Sequence, residues 1–347
     1  VFLVVYYTFF YYLCTSNFKY IFMYTLNLIK FGRQPVSFYL ALEKYLLNSP
    51  EWRDKELFFI WDIFPAIVCG RHQLIEGEVN MEYVKNIGVK IYRRHSGGGT
   101  IYADEGCFMF TFLRRSESRD KVFHSSLSQV ADAFKKLNLD VELSGRNDLL
   151  FKGKKFSGNS YLKNEFGSIL HGTLMYNTDI ETLVRCITPD NEKLISKGIE
   201  SVRQRVINVG ESLNISREEL MRHLERSIAP QEVTLADKEF DVVRSMESFF
   251  LSDEWMKGNN PPYTFCNKKR YPCGVINAKV DVKKDVIQSV FFNGDFFTHG
   301  DLEPFYKKFV GIPFNKVAVS EMLSSCPVND YILGAENENI IDLLFPN

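Results

Sequence analysis

Three clusters of residues have types and spacings suited to chemistry. The first is the run Arg93-Arg94-His95-Ser96-Gly97-Gly98-Gly99-Thr100-Ile101-Tyr102. Its successive glycines remove every Cβ, so the backbone can close on a ligand and present a concave row of N–H groups that suits a phosphate. The arginines upstream add charged donors able to grip an anion in bidentate fashion. A flexible surface loop is the plain alternative. The run lacks the Gly-Lys-Ser/Thr ending of a Walker loop and the GxGxxG spacing of a dinucleotide fold. The second cluster is Ser144-Gly145-Arg146-Asn147-Asp148, followed by Lys154-Lys155-Phe156-Ser157-Gly158-Asn159-Ser160-Tyr161. If these segments form a hairpin, Asp148 and Lys155 come together on adjacent strands. A lysine held by a carboxylate is a good partner for a carboxylate or phosphate substrate; a solvated turn is the alternative. The third is His171-Gly172-Thr173, where a lone strand histidine is more often structural than catalytic. No HExxH motif, nucleophile elbow or EF-hand loop occurs. Cys273, in Pro-Cys-Gly, has no histidine close in sequence and reads as structural.

These clusters need elements to position them. Tyr24–Ile29 reads as an opening strand, and Pro35–Leu47 as a helix with Phe38, Ala41, Leu42, Tyr45 and Leu46 at helical spacing. Leu57–Trp61 and Ala66–Gly70 read as two strands joined by a turn around Asp62 and Pro65. The spacing predicts a helix over Val79–Ile87 that ends at Gly88, then a strand over Val89–Tyr92 and a doubly buried strand over Phe108–Leu113. An amphipathic helix follows over Leu127–Leu137, then a hairpin around Gly153 and a strand over Ser168–Tyr176. Asp179–Arg203 reads as helix and loop with a break at Pro189, followed by helices at Arg217–Ile228 and Phe240–Leu251. Gly258-Asn259-Asn260-Pro261-Pro262 is the clearest linker. Beyond it come a hairpin of Gly274–Val280 with Val286–Phe292 and helices near Leu302–Phe309 and Val317–Leu323. The expected organisation is an extension over 1–22, a catalytic domain over 23–257, a linker over 258–262 and an accessory domain over 263–347.

The 347 residues suit about two domains and a core that needs no disulfide. Lys and Arg total 42 against 43 Asp and Glu, a balance that gives no sign of nucleic-acid binding. The seven cysteines, at 14, 69, 107, 186, 266, 273 and 326, form no CxxC pair and are odd in number. That argues against a disulfide framework and a zinc knuckle, and for a reducing cytoplasm. The uncharged stretch 1–18 lacks the basic start of a signal peptide, and Asn17 and Lys19 interrupt it as a membrane span. We read it as a misplaced start before Met23 ahead of a hydrophobic tail, and expect no membrane attachment unless residues 1–22 belong to the protein.

Taken in order, the motifs are distinctive. They are Arg-Arg-x-Ser-Gly-Gly-Gly-x-x-Tyr, then Gly-Arg-Asn-Asp, Lys-x-Ser-Gly-x-x-Tyr and His-Gly-Thr-Leu, and finally Lys197-Gly198-Ile199-x-Ser201-Val202-Arg203-x-Arg205-Val206-x-Asn208. From about Met23 to Asn208 the chain closely resembles the lipoate–protein ligase family, of the two-domain type with a C-terminal accessory domain.

That resemblance implies an α+β fold shared with biotin–protein ligases and class II aminoacyl-tRNA synthetases: a mixed sheet flanked by helices, with a small α/β accessory domain. It implies ATP-dependent activation of lipoate to lipoyl-AMP with release of pyrophosphate. The lipoyl group then passes to a lysine on the lipoyl domains of 2-oxoacid dehydrogenase E2 subunits or the glycine-cleavage H protein. Lys155 matches the family's catalytic lysine, and Asp148 would orient it or help hold Mg²⁺. Arg71, Arg94, Ser96, Gly97, Gly98, Gly99, Thr100, Ile101 and Tyr102, with Lys155, would bind ATP. Arg94, His95, Lys155, His171 and Gly172 would contact lipoate. Ala103 and Cys107 depart from the family's His-Asp-x-Gly-Asn. Two alternatives remain: an octanoyl- or lipoyl-transferase of the same superfamily, which would need a nucleophilic cysteine such as Cys186 or Cys273, and a non-catalytic lipoate-binding protein. Shielding of an acyl-adenylate from water also leads us to expect a closure of the C-terminal domain.

Overall fold

The strand Cys107–Arg114 is buried along its whole length because both of its faces are covered. Cys107, Met109 and Leu113 pack into one core with the helix Val36–Asn48. Phe108, Phe110 and Phe112 pack into another, with the helices Arg119–Lys135 and Arg217–Ile228. The architecture comes from a computed structural model that describes residues 22–346 apart from 116–117, 146, 188–191 and 259–260, with the side chains of 192–198 also outside it. Residues 1–21, and the break expected at Pro189, lie outside the described residues.

The strands in chain order are β1 (Met23–Asn27), β2 (Glu56–Trp61), β3 (Ala66–Cys69), β4 (Lys90–Arg93), β5 (Ile101–Ala103), β6 (Cys107–Arg114) and β7 (Val141–Ser144). They continue as β8 (Asp148–Phe151), β9 (Lys154–Asn164), β10 (Gly167–Met175), β11 (Glu232–Thr234), β12 (Phe265–Tyr271), β13 (Gly274–Lys283) and β14 (Val286–Gly294). Eight of them form one sheet in the order β11-β1-β2-β6-β10-β9-β8-β7. The β11-β1-β2 edge is parallel and the rest is antiparallel, so the fold is a mixed α+β sheet flanked by helices. A small second sheet runs β4-β3-β5 and carries the glycine run between β4 and β5.

Two local details differ from the sequence reading. β2 and β3 do not pair, because β1 and β6 already occupy both edges of β2. β3 therefore crosses to the small sheet, parallel to β4 and antiparallel to β5. The helix before Gly88 is also shorter than its spacing suggested, Met81–Asn86, with Asn80 capping the amide of Tyr83.

Past residue 264, β12, β13 and β14 form an antiparallel sheet covered by the helices Glu303–Phe309, Lys316–Ser325 and Asn337–Leu344. Ile276, Phe292, Phe305, Leu323 and Ile340 belong to a core of its own. Strand β12 and the last helix had no clear sequence signal. In β12, Lys268, Lys269 and Arg270 are exposed and dilute the apolar alternation. No helix among the described residues is long and apolar enough to cross a membrane.

Candidate active site

The hairpin β8–β9 turns on Lys152 and Gly153, both at positive φ (52° and 71°), a two-residue turn whose twist suits the strands. Its register makes Asp148 the cross-strand partner of Gly158. Lys155 lies on the same strand as Gly158, and its side chain runs back over the glycine. Nζ ends 2.8 Å from Asp148 Oδ1. A Cβ at position 158 would lie 2.8 Å from both Cε and Nζ of Lys155, so the ammonium occupies the space that the missing side chain leaves. The lysine and the aspartate remain partly exposed, their side chains at 40% and 32%.

Two residues further along β9, Ser160 donates its hydroxyl to the Gly97 carbonyl at 2.8 Å. This bond fixes the glycine loop over the sheet, beside the strand that carries Lys155. The two arginines before the loop turn inward. Arg94 donates from Nε and Nη2 to Gly97 O, from Nη2 to Gly99 O and from Nη1 to Val68 O. Burial pushes its pKa down to about 10, and it stays a cation. Arg93, 1% exposed, donates to the carbonyls of Gly70, Arg71, Gln73 and Met256. The fork geometry expected for an anion is thus spent on backbone carbonyls. The loop bends so tightly that its carbonyls face inward and need donors, and only a long, fully charged fork meets several at once. Gln73 Oε1 accepts from the Gly70 amide and the Thr100 hydroxyl, which holds the far end of the loop. Tyr102 and Ile101 continue into β5, Tyr102 buried.

Under the loop, the sheet register aligns Thr111 of β6, His171 of β10 and Ser160 of β9 in one cross-strand row. Glu43, from the helix Val36–Asn48, reaches this row and is fully buried. Its Oε1 accepts from Thr111 at 2.6 Å, and His171 Nδ1 lies 2.9 Å from the same oxygen. His95 Nε2 lies 3.1 Å from Oε2. His171 Nε2 meets Ser96 Oγ at 2.7 Å. Burial pushes the Glu43 carboxyl up, but the two imidazoles outweigh it and hold the pKa down at about 2. Burial lowers that of His95, against the pull of Glu43. Gly172 packs against the Asn159 side chain, away from the loop.

Beside Glu43 and His95 opens a cavity of about 330 Å³, walled by Leu47, Leu162, Ile169, Phe250 and Trp255. Arg71 stands nearby with its guanidinium 4.2 Å from the Trp255 ring centroid, and burial lowers its pKa. The C-terminal domain touches the same region. The Gly98 amide donates to the Phe296 carbonyl at 3.3 Å, and a Cβ on Gly98 would lie 3.2 Å from the Phe297 ring. The His72 ring stacks on Phe296 at 5.2 Å, and the Gly294 amide donates to His72 O.

Some motif residues serve the scaffold. Asn208 pairs with both backbone groups of Thr178, and Asp104 accepts from the amides of Gly106 and Asp179. Glu43 and Thr111 escaped the sequence reading, and Ser160 stood in its second cluster without a role. For Glu43 a signal existed: a carboxylate set within the apolar stripe Tyr39–Leu42–Leu46 of a helix that otherwise faces the core. The two thiols weighed as nucleophiles are buried, and burial pushes Cys186 up to about 12. A thiol held that far toward its neutral form is a poor nucleophile at neutral pH.

The chain matches two known protein families. Residues 35–229 match the lipoyl protein ligase A/B catalytic domain, and residues 260–344 match the bacterial lipoate protein ligase C-terminus. Lipoate-protein ligase LplJ of Bacillus subtilis is 30% identical over 317 residues, covering 88% of this chain and 96% of the relative. Among solved structures, P. falciparum LipL1 in complex with lipoate superimposes with a TM-score of 0.74 at 22% identity, covering 92% of this chain and 97% of that one. Lipoate-protein ligase A bound with ATP gives 0.59 at 23% identity, covering 69% and 99%. With both halves of the chain matched in order, and the loop, lysine and histidine gathered on one face of the sheet, the chain belongs to the lipoate–protein ligase family.

Proposed function

We propose that the protein activates lipoate with ATP and transfers the lipoyl group to a lysine of a lipoyl domain. The observation that carries this reading is the Lys155–Asp148 pair, a fixed cation held over Gly158 beside the glycine loop. In the first half-reaction a lipoate carboxylate oxygen attacks the α-phosphorus. The bond from that phosphorus to the bridging oxygen breaks, and pyrophosphate leaves. Negative charge builds on the α-phosphate, and a preorganised ammonium is a suitable stabiliser. Lys155 holds the carboxylate beside the α-phosphate, and Asp148 positions Lys155. Arg94 and Ser160 shape the loop that faces the phosphates. In the second half-reaction the acceptor's ε-amine attacks the acyl carbon, the carbon–oxygen bond to AMP breaks, and the amine gives up a proton. The acceptors we assign are E2 lipoyl domains and the glycine-cleavage H protein.

The cavity beside Glu43 and His95 suits the acyl chain, being apolar along its walls and of ligand size. His171 sits just beyond it, under Ser96. The donor set also fits Mg²⁺: one carboxylate, Asp148, beside the place proposed for phosphate oxygens, as this ion prefers. When bound, the ion would neutralise phosphate charge. The Phe296 contact occupies the Gly98 amide. Use of that amide by a phosphate therefore requires the C-terminal domain to shift, which agrees with the expected closure between half-reactions.

The test is to mix the full chain with ATP, Mg²⁺, lipoate and an apo lipoyl domain, then weigh the acceptor by mass spectrometry. We expect a lipoyl mass shift that requires both ATP and Lys155. Lipoate binding by calorimetry with no shift would replace this reading with a binding protein. A shift from an octanoylated carrier without ATP would replace it with an acyltransferase.

A further inference from the structure

We propose that Glu43, His95 and His171 form a binding site for a zinc ion, with an open coordination position facing the acyl cavity. Two imidazoles and a carboxylate make a donor set that zinc favours in sites with three protein ligands and one exchangeable position. The ligating atoms, one from each residue, lie within 4.8 Å of one another. At zinc–ligand bonds of about 2.0–2.1 Å, tetrahedral ligands sit about 3.3 Å apart. Glu43 Oε2 is 3.1 Å from His95 Nε2 and 3.1 Å from His171 Nδ1, close to that spacing, while the two imidazole nitrogens lie within 4.8 Å of each other, so insertion of an ion draws the imidazoles together by up to about 1.5 Å.

The surroundings support these ligands as outer partners do in zinc sites. The Thr111 hydroxyl holds Glu43 Oε1, which also lies 2.9 Å from His171 Nδ1, and in turn accepts from Trp61 Nε1 at 2.8 Å, while Oε2 faces both histidines at 3.1 Å. Ser96 Oγ sits 2.7 Å from His171 Nε2, so the ring can donate there and offer a bare Nδ1 to the ion. Glu43 is fully buried, a position where a divalent cation offsets the cost of burying a carboxylate. His95 is the least buried member, at 17% for its side chain, and it lines the cavity, so it gives the ion its way in and the fourth position its outlook. That position suits water or a soft donor such as a thiolate entering along the cavity. None of this depends on the ligase reaction.

The experiment titrates the untagged full chain, stripped with chelator, with ZnCl₂ by calorimetry. Co²⁺ is titrated in parallel for its visible tetrahedral bands. Cys266, the exposed free cysteine among the described residues, is replaced by Ser throughout to remove a competing ligand. We expect one zinc per chain and tetrahedral cobalt bands. Losing an outer partner of a zinc ligand costs 10–100-fold, so His95→Asn and Glu43→Gln should weaken binding at least ~100-fold. His95→Asn is the deciding variant if Glu43→Gln fails to fold, since position 95 is partly open. No saturable zinc binding, octahedral cobalt spectra, or zinc affinity unchanged in folded His95→Asn would each overturn the proposal.

Discussion

Replacing Gly158 by Ala separates the chemistry from the fold. The new Cβ would lie 2.8 Å from Cε and Nζ of Lys155, where ordinary contact begins near 3.4 Å. The side-chain end must therefore move by at least about 0.2 Å, and by about 0.6 Å to reach ordinary contact. Any such movement disturbs the contact with Asp148, now 2.8 Å away. The atoms it meets are the free end of a flexible side chain, so the strand need not shift. Position 158 has no left-handed backbone that would strain an alanine, and removing a glycine from the unfolded chain adds about 0.4–1 kcal/mol of stability. Melting temperature should thus hold or rise slightly. The adenylation rate should not, because a misplacement near 1 Å costs up to ~100-fold. Lipoate-dependent ATP–pyrophosphate exchange measures that rate, and a thermal melt measures the fold. We expect Gly158→Ala to lose most of what Lys155→Ala loses, and the double variant to lose no more than Lys155→Ala alone. An exchange rate within about threefold of the parent in a folded protein, or fully additive losses, would refute the reasoning.

Arg93→Lys keeps the charge but not the fork that meets the carbonyls of Gly70, Arg71, Gln73 and Met256. With buried carbonyls left unpaired we expect about 2–4 kcal/mol of destabilisation, read as a fall in melting temperature, and an unchanged melt would contradict it. Cys186→Ser and Cys273→Ser should each keep ATP-dependent lipoyl transfer, measured by acceptor mass, since neither buried thiol belongs to the site. Burial, with Glu232 adding, pushes the Glu225 carboxyl from 4.5 up to about 7. The folded state therefore binds the proton more tightly than the unfolded state, and stability falls as pH rises across that window. Discounted for partial exposure, the loss is roughly 1–2 kcal/mol between about pH 5 and pH 8, and Glu225→Gln should flatten the difference in melting temperature.

The sequence shows the parts whose chemistry is local. Asp148 and Lys155 flank a two-residue turn, so their pairing followed from the hairpin alone, and the glycine run marked itself. Long-range features left no comparable trace. Glu43 meets His171 across 128 residues, and Ser160 meets Gly97 across 63. The inward turn of Arg93 and Arg94 was hidden for another reason. An arginine beside a glycine loop has the same spacing whether its fork faces a ligand or the loop's own carbonyls, and only the path of the backbone decides. β3 left β2 because the partners of β2 lie before and after the pair in sequence, where no turn signal records them. Glu43 could have been noticed, since a carboxylate in an apolar helical stripe must find a donor.

Register ties these separate findings together. The cross-strand row Thr111–His171–Ser160 exists because β6, β10 and β9 pair without a bulge across those residues. Ser160 sets the loop through Gly97, His171 meets Ser96 in the same loop, and Glu43 braces His171 from the helix above. Side chains alternate faces with a period of two, so a one-residue slip of β9 would turn Ser160 to the far face and bring a neighbour in its place. The irregularity between Leu149 and Leu150 lies on the other edge of β9, where β8 delivers Asp148 opposite Gly158. The strand thus has one regular edge that fixes the loop and one irregular edge that fixes the lysine. Lys155 and the glycine loop keep their spacing because a single strand, β9, is held by both.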